Sequence, residues 1–378
     1  MFNIEYINKI YINTTKKMNA PERVLTTINH EEPDKVPAWE SAFTNNTITK
    51  YYGLNPKKQG DKYTHKLYRK IGLDICATAA SLYPRKPTKG GKGFIDEYGR
   101  VMQFEYYEKD GTQIMGYIGG HFNSFEDYES WEQPDPNLPV RLISFKNGRR
   151  IQKEMNDEIF SVPSTGALME CTWEGFGLET FSRILGKPKQ AKKVFDDRGK
   201  FTLELVKILA ENDAKLVILW DDYGFKNGLF MSPRLYRKYI FPWIKRICDA
   251  AHKRDCKILL HSDGDLMEIF EDIVECGVDV INPIEPTTAN PDYDIFKLNE
   301  KFGDHITFCG NLSPMTLATG KVSEIEEYAK KLIRELAPRG GYIFSSGHSI
   351  NPAVTVDRFE AMQNVRRKYG KYPIKVPK

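Results

Sequence analysis

The chain has 378 residues, of which 40% are hydrophobic and 28% charged, a composition typical of a globular protein with a substantial core. Its 55 basic and 51 acidic side chains nearly balance, which argues against nucleic acid as the main ligand, because phosphate binding needs a concentrated basic face. The six cysteines include no CxxC or other close pair, so we expect reduced thiols and a cytoplasmic location.

The first residues are set apart from the rest of the chain. Residues 1–17 hold no continuous apolar run long enough for a signal peptide and no small-residue cleavage site, so we interpret them as a peripheral arm. The sequence Asn19-Ala20-Pro21 predicts the start of a helix and of a single domain, residues 18–378. No later stretch approaches the roughly 20 apolar residues that span a bilayer, and we expect no membrane contact.

Apolar runs of strand length recur along the chain. They cover residues 35–43, 73–81, 159–166, 216–222, 257–263, 278–285, 306–311 and 341–348. Helical patterns lie between them at residues 65–72, 178–186, 232–255, 265–277, 323–336 and 355–370. Strands that alternate with helices pair in parallel, and eight of them predict an α/β fold of the (β/α)8 TIM barrel type. An open doubly wound sheet is the alternative, weakened by the lack of a Gly-rich phosphate loop in the sequence.

The segment at about residues 90–140 departs from this rhythm. Its residues alternate in polarity and turn at the KDG of positions 109–111. This pattern predicts an inserted β-hairpin after the second strand.

Active sites of such barrels lie at the carboxyl ends of the strands, so the polar residues there are the candidates. They are Glu40, Asp221, Asp222, His261, Asp263, Glu285, Asn311 and His348. Any one of them alone is explained by a cap or a rim hydrogen bond. Because the chain has only seven histidines, two of them among several acids at one barrel mouth predict a site.

His261 and Asp263 form the sharpest local feature, because residues two apart in a strand point to the same side. Asp263 could orient His261 as a general acid or base. Both could instead bind a divalent metal, with His348, Glu285 or Asp222 completing the shell. A plain hydrogen-bonded pair at a strand end is the third interpretation.

Several motifs together resemble the uroporphyrinogen decarboxylase superfamily. They are RVLTTINHEEPDKVPAWE (23–40), LFMSPRLYRKYIFPWIKRICDAAH (229–252), HSDG (261–264), GNLSP (310–314) and GGYIFSSGHSINP (340–352). The resemblance covers about residues 18–370 and implies a (β/α)8 barrel. The superfamily contains true decarboxylases of porphyrinogens and zinc methyltransferases that exchange methyl groups with a corrinoid protein.

The motifs divide unevenly between these two branches. True decarboxylases carry an arginine-rich element near the first strand and an aspartate after the second, whereas this chain has WESAFTNN (39–46) and ATAASLYPRK (77–86) there. Of these decarboxylase motifs, only the carboxy-terminal Gly-His is matched, at Gly347-His348. The methyltransferase branch is similar in DEYG (96–99), PDP (134–136) and WDD (220–222). The resemblance therefore favours methyl transfer over decarboxylation.

The zinc motif of the methyltransferases is altered in this chain. Their H-x-C-G reads His261-Ser262-Asp263-Gly264, and Ser346-Gly347-His348 stands at the position of their second cysteine. The resemblance implies a corrinoid-dependent methyltransferase that binds Zn²⁺ through His261, Asp263 and His348, with Asp222 and Glu285 as further ligands. Asp222, His261, Glu285 and His348 are the predicted catalytic residues.

The implied partners are a small methylated substrate and a corrinoid-binding protein, and true decarboxylases of the superfamily suggest a homodimer. Two other functions stay open at this point. One is uroporphyrinogen decarboxylation, and the other is a non-catalytic homologue that binds a corrinoid or tetrapyrrole.

Overall fold

A computed structural model describes residues 17–58, 60–81, 86–88 and 91–377, so nearly all of the predicted arm at residues 1–17 lies outside the described residues. Its strands are β1 (Ile75–Ala79), β2 (Lys86–Pro87), β3 (Gly93–Ile95), β4 (Arg100–Tyr106), β5 (Gln113–Gly120), β6 (Phe160–Gly166), β7 (Leu216–Trp220), β8 (Gly224–Phe225), β9 (Gly228–Leu229), β10 (Lys257–His261), β11 (Val280–Asn282), β12 (Thr307–Leu312) and β13 (Tyr342–Ser346).

The helices pack around these strands. They are α1 (Ala20–Ile28), α2 (Asn46–Tyr51), α3 (Asp61–Ile71), α4 (Phe125–Glu129), α5 (Ile143–Glu154), α6 (Met169–Leu185), α7 (Pro188–Glu211), α8 (Pro233–Tyr239), α9 (Phe241–His252), α10 (Phe270–Glu275), α11 (Ile295–Phe302), α12 (Pro314–Thr319), α13 (Val322–Leu336) and α14 (Val356–Tyr369). Short 3₁₀ turns occur at Pro139–Leu142 and Met267–Ile269. As predicted, α1 starts after Asn19, whose side chain accepts a hydrogen bond from Glu22 N.

Within the described ranges, seven parallel strands form one curved sheet in the order β1-β6-β7-β10-β11-β12-β13. The predicted TIM-barrel fold is confirmed. Trp39, Ile75, Val162, Ile218 and Leu259 belong to an apolar cluster inside the curved sheet, as barrel interiors require. A larger apolar cluster fills the space between the sheet and the helices.

The predicted first strand, residues 35–43, is wrong as a regular strand. Only isolated bridges form there, such as Ala38 with Phe344. The segment still spans the gap between β13 and β1, because Trp39 N donates to Phe344 O at 3.1 Å and Asp74 N donates to Ala38 O at 2.7 Å. Pro37 lacks a backbone N–H, which limits the pairing that the segment can make.

Two predicted helices also differ from the structure. The run at residues 232–255 is divided into α8 and α9, because Pro242 cannot donate the backbone hydrogen bond that one continuous helix would need. The run at residues 265–277 shortens to a 3₁₀ turn followed by α10. Both differences lie on the outer surface and leave the strand ends in place.

The predicted hairpin insertion is part of a four-stranded antiparallel sheet, β2-β3-β4-β5. A fully buried pair holds its base, with Arg141 Nη2 lying 2.6 Å from Glu97 Oε2. At its tip, Asp110 Oδ2 accepts hydrogen bonds from Thr47 N at 3.2 Å and Thr47 Oγ1 at 3.1 Å. The insertion therefore reaches from the barrel to the start of α2.

No helix in the described part of the chain is long and apolar enough to cross a membrane.

Asp74 connects the irregular first segment to the rest of the barrel. One carboxylate oxygen accepts from Ala38 N at 2.8 Å, and the other lies 2.6 Å from Arg23 Nη1. Arg23 also contacts Asp34 at 2.6 Å, and its side chain is only 5% exposed.

We expect Asp74→Ala to lower the free energy of unfolding by about 3 kcal/mol, because it leaves the buried Arg23 short of a partner. The measurement is the midpoint of urea unfolding. Glu179→Ala is the matched control, because it removes an exposed ion pair with Arg183 and should change the free energy by less than about 1 kcal/mol. Equal losses in the two variants would contradict this account of the barrel closure.

Candidate functional site

Three of the predicted residues lie together at the carboxyl ends of β7 and β10. Among the described residues, Asp222, His261 and Asp263 each offer a ligand atom within 4.8 Å of the others. His261 Nε2 lies 4.0 Å from Asp222 Oδ1 and 3.9 Å from Asp263 Oδ1, beyond hydrogen-bonding distance in both cases. The carboxylates therefore surround the imidazole nitrogen without being hydrogen-bonded to it.

The orientation of His261 is fixed from its other side. Nδ1 lies 2.7 Å from Asn282 Oδ1, and Asn282 Nδ2 donates to Cys309 O at 2.8 Å. Because the carbonyl of Cys309 can only accept, Asn282 must present its oxygen to the imidazole, and Nδ1 must donate. In the neutral form of His261, Nε2 then carries the lone pair and faces the two carboxylates.

Asp263 is held by one oxygen and not by the other. Its Oδ2 lies 3.2 Å from His348 Nε2, whereas its buried Oδ1 has no hydrogen-bond partner among the described residues. Burial opposes ionisation of Asp263. The hydrogen bond from His348 and the nearby His261 outweigh it and lower the pKa of Asp263.

Asp221 and Asp222 have different roles, because successive residues of an extended chain point to opposite sides. Burial, together with the charge of Asp263, raises the pKa of Asp222 well above its usual value. The fully buried Asp221 instead accepts from Met169 N at 2.6 Å and Glu170 N at 3.0 Å. It thus caps α6, the helix after the neighbouring strand β6, and not the segment that follows it in sequence.

Glu285 and His348 border the three-residue cluster. Glu285 Oε2 accepts from Gly264 N at 3.0 Å, and its other oxygen accepts from the Thr287 hydroxyl. Half of the His348 side chain is exposed, and the hydrogen bond to Asp263 raises the pKa of His348. The structure thus places Glu285 and His348 beside the cluster. Asp222, predicted only as a further ligand, lies within the cluster, whereas His348, predicted among the first three, does not.

Two other rim candidates form hydrogen bonds with residues outside the cluster. The fully buried Glu40 accepts a hydrogen bond from the backbone of Ser346 and is also hydrogen-bonded to its hydroxyl. Asn311 accepts from the Tyr328 hydroxyl at 2.9 Å and donates to Ile284 O at 2.9 Å. Cys309 is buried.

The sequence reasoning missed an acidic group on α6. Arg100 Nη1 lies 3.1 Å from Glu174 and 3.4 Å from Glu170, and Arg100 Nε contacts Asp96 at 2.6 Å. Burial, with the charge of Asp222, raises the pKa of Glu170 to about 7. Glu170 follows β6 by four residues, so its position after a strand end was a usable signal.

The cluster fits a divalent cation. A tetrahedral site with ~2.0 Å bonds has edges of ~3.3 Å, so the two distances from His261 Nε2 would shorten by about 0.6 to 0.7 Å. The distance between the two carboxylate atoms, at most 4.8 Å, would shorten by up to about 1.5 Å. Such an ion would bind Asp263 Oδ1, which has no hydrogen-bond partner among the described residues, and the lone pair of His261 Nε2. One nitrogen and two carboxylate oxygens form a harder donor set than thiolates do.

Several known proteins are similar to this chain in sequence. The model of the family "Uroporphyrinogen decarboxylase (URO-D)" matches residues 102–369. Uroporphyrinogen decarboxylase of Magnetococcus marinus is 23% identical over 232 residues, which is 58% of this chain and 62% of the relative. That of Schizosaccharomyces pombe is 24% identical over 374 residues, covering 92% of this chain and 97% of the relative.

The M. marinus alignment spans less than two thirds of that relative's length. A solved structure, "methyltransferase from Methanosarcina mazei", superposes with a TM-score of 0.67 at 17% identity, covering 93% of this chain and 99% of that chain. At this identity the superposition supports the fold alone. The family match covers more than half of the sequence, and the chain belongs to the uroporphyrinogen decarboxylase family.

Proposed function

We propose that this protein is a metal-assisted methyltransferase that moves a methyl group between a small methylated substrate or carrier and the corrinoid of a partner protein. The observation that carries the proposal is the position of the His261 ring, which a hydrogen bond to Asn282 fixes. Its Nε2 lies 4.0 Å from Asp222 Oδ1 and 3.9 Å from Asp263 Oδ1. A bound Zn²⁺ would supply a Lewis acid that lowers the energy of the departing oxygen or nitrogen.

The residues around the cluster divide the remaining work. His261 and Asp263, with Asp222, would hold the ion, and Asn282 keeps His261 in the metal-binding tautomer. His348 is half exposed and its pKa is raised by Asp263, so it can hold a proton beside the cluster. The reduced corrinoid would supply the nucleophile that accepts the methyl group. The leaving oxygen or nitrogen of the substrate would keep the electron pair of the broken bond and take the proton of His348.

Decarboxylation of uroporphyrinogen is the second candidate, because the curated relatives carry that name. A substrate with eight carboxylates needs unpaired cations, since buried unpaired negative charge is costly. Among the described residues of the barrel mouth, Asp222, Asp263 and Glu285 carry carboxyl groups. Arg100 already contacts acidic side chains such as Glu174. This charge favours methyl transfer.

We expect the purified chain to bind about one Zn²⁺, and Asn282→Leu to weaken binding by about 10- to 100-fold, since it frees the His261 ring. Competition with a chromogenic chelator measures the affinity. His252→Ala is the control, because His252 forms its own pair with Asp279 at 2.8 Å, away from the cluster. Less than about 0.2 equivalents of zinc in the wild type would count against a metal site.

The direct test of function measures methylation of cob(I)alamin from methanol, anisole or trimethylamine, alongside uroporphyrinogen decarboxylation. We expect His261→Ala to lower methylation at least about 100-fold, because the ion supplies several kcal/mol of stabilisation in the transition state. Porphyrin product would contradict the proposal. Corrinoid binding without turnover, unchanged in His261→Ala, would indicate a non-catalytic homologue.

The pH profile tests His348. Its protonated form is the donor, so the demethylation rate should fall as pH rises through the raised pKa of His348. His348→Gln should remove this alkaline limb and lower the rate by about 10²- to 10⁴-fold. An unchanged limb in the variant would exclude His348 as the proton donor.

A further inference from the structure

Glu40 is a buried acid outside the metal-binding cluster. It lies at the end of the irregular first segment, is fully buried, and contacts Ser346, the last residue of β13. Ser346 N donates to Glu40 Oε2 at 3.2 Å, and the Ser346 hydroxyl lies within hydrogen-bonding distance of the same oxygen. The two ends of the barrel closure therefore meet at this carboxyl group.

Ser346 also contacts His348. Its hydroxyl lies within hydrogen-bonding distance of the backbone oxygen of His348, whose ring in turn has Nε2 at 3.2 Å from Asp263 Oδ2. A series of direct contacts thus runs from Glu40 through Ser346 and His348 to the cluster.

The single proton of the Ser346 hydroxyl determines which groups donate. Two oxygens lie within its reach, Glu40 Oε2 and the backbone oxygen of His348. If the hydroxyl donated to an ionised Glu40, no proton would lie between Ser346 Oγ and the His348 oxygen, which can only accept. Both contacts are hydrogen bonds if Ser346 donates to His348 and Glu40 is protonated and donates to Ser346 Oγ. A protonated Oε2 keeps a lone pair for Ser346 N.

The burial of Glu40 also favours the neutral acid. Its other oxygen, Oε1, is buried and has no hydrogen-bond partner among the described residues, which would be costly for an ionised carboxylate. Burial raises the pKa of Glu40 to about 8, although the hydrogen bonds with Ser346 oppose this shift.

The titratable side chains around Glu40 supply no direct countercharge. The charge of Glu40 acts on Tyr68, Cys309 and Tyr342, and burial raises the pKa of each, so all three are neutral at pH 7. Arg366 acts on Glu40 from a distance, while its Nε and Nη2 donate to other residues at 3.1 and 3.0 Å. Glu40 has no ion-pair partner in the described part of the chain.

We propose that Glu40 is a positioning residue, a neutral acid that donates to Ser346 Oγ and through it holds the backbone of His348 beside the cluster. The inference rests on the proposed function in one respect, since it takes His348 as the proton donor of methyl transfer. An ionised Glu40 has no proton to donate, so this arrangement depends on the neutral form.

NMR signals of the His348 ring test the positioning in the zinc-free protein, without turnover, with His348→Gln assigning the signals. Glu40→Gln should keep the wild-type signals, because an amide offers one donor for Ser346 Oγ and one acceptor for Ser346 N. Glu40→Leu offers neither, and Ser346→Ala removes the bridging hydroxyl. Both should shift the His348 signals, and the two shifts should not add in the double variant, because they break the same series of contacts.

Asp279→Leu is the control for a general loss of stability. It removes the acceptor of Ile258 N, at 2.8 Å, before the start of β11. It should lower the melting temperature and leave the His348 signals in place.

Infrared difference spectra at pH 7 test the proton on Glu40. We expect the wild type to show the carbonyl band of a neutral carboxylic acid that Glu40→Gln lacks. Absence of this band would overturn the inference. So would unshifted His348 signals in Ser346→Ala, a variant that decides the matter even where Glu40→Leu does not fold, or a shift in Glu40→Gln as large as that in Glu40→Leu.

The methyl-transfer assay adds a kinetic readout. Glu40→Leu should lower kcat by about 10- to 100-fold with little change in KM, because it displaces a proton donor and leaves substrate binding intact. Glu40→Gln should restore most of the rate, and equal rates in Glu40→Leu and wild type would contradict the positioning role. The expected NMR and infrared results in a protein without methyl transfer would reject the proposed function alone.

Discussion

Closure of a parallel sheet is the constraint on which the rest of this molecule depends. Parallel strands in a barrel send all of their carboxyl ends to one rim, whatever the loops between them do. Here closure passes through an irregular segment that pairs at only a few points and that the carboxylate of Asp74 attaches to β1 and Arg23. The functional residues at the opposite end of the strands can then meet although more than a hundred residues separate them in sequence.

The rim assembled in this way has an excess of acid, and its geometry follows from how that charge is managed. Asp221 accepts hydrogen bonds from backbone N–H groups at the start of α6, and Glu174 forms an ion pair with Arg100. Asp263 has His348 on one oxygen, and its other oxygen has no hydrogen-bond partner among the described residues. Burial and the charge of Asp263 raise the pKa of Asp222, and an added cation would relieve this repulsion.

The sequence was sufficient for the barrel and included Asp222, His261 and Asp263 among the rim candidates, because parallel strands send their carboxyl ends to one rim. It put His348 before Asp222 as a metal ligand. It was not sufficient for Asn282, whose role depends on how β10 and β11 are paired side by side. Nor did it find Arg100 with Glu174, which come from the insertion and from α6. The first segment was predicted as a regular strand because an apolar run indicates burial. Burial alone does not provide the ladder of hydrogen bonds that a strand needs, and only isolated bridges form there.

The change from thiolates to harder ligands gives the site its chemical direction. A zinc ion with thiolates is electron-rich and suits a soft sulfur substrate, whereas one imidazole and two carboxylates leave a more Lewis-acidic ion that suits oxygen or nitrogen. The charge of the surrounding rim also bears on the substrate, because Asp222, Asp263 and Glu285 all lie there. Under the proposed function, such a rim disfavours a polyanionic substrate.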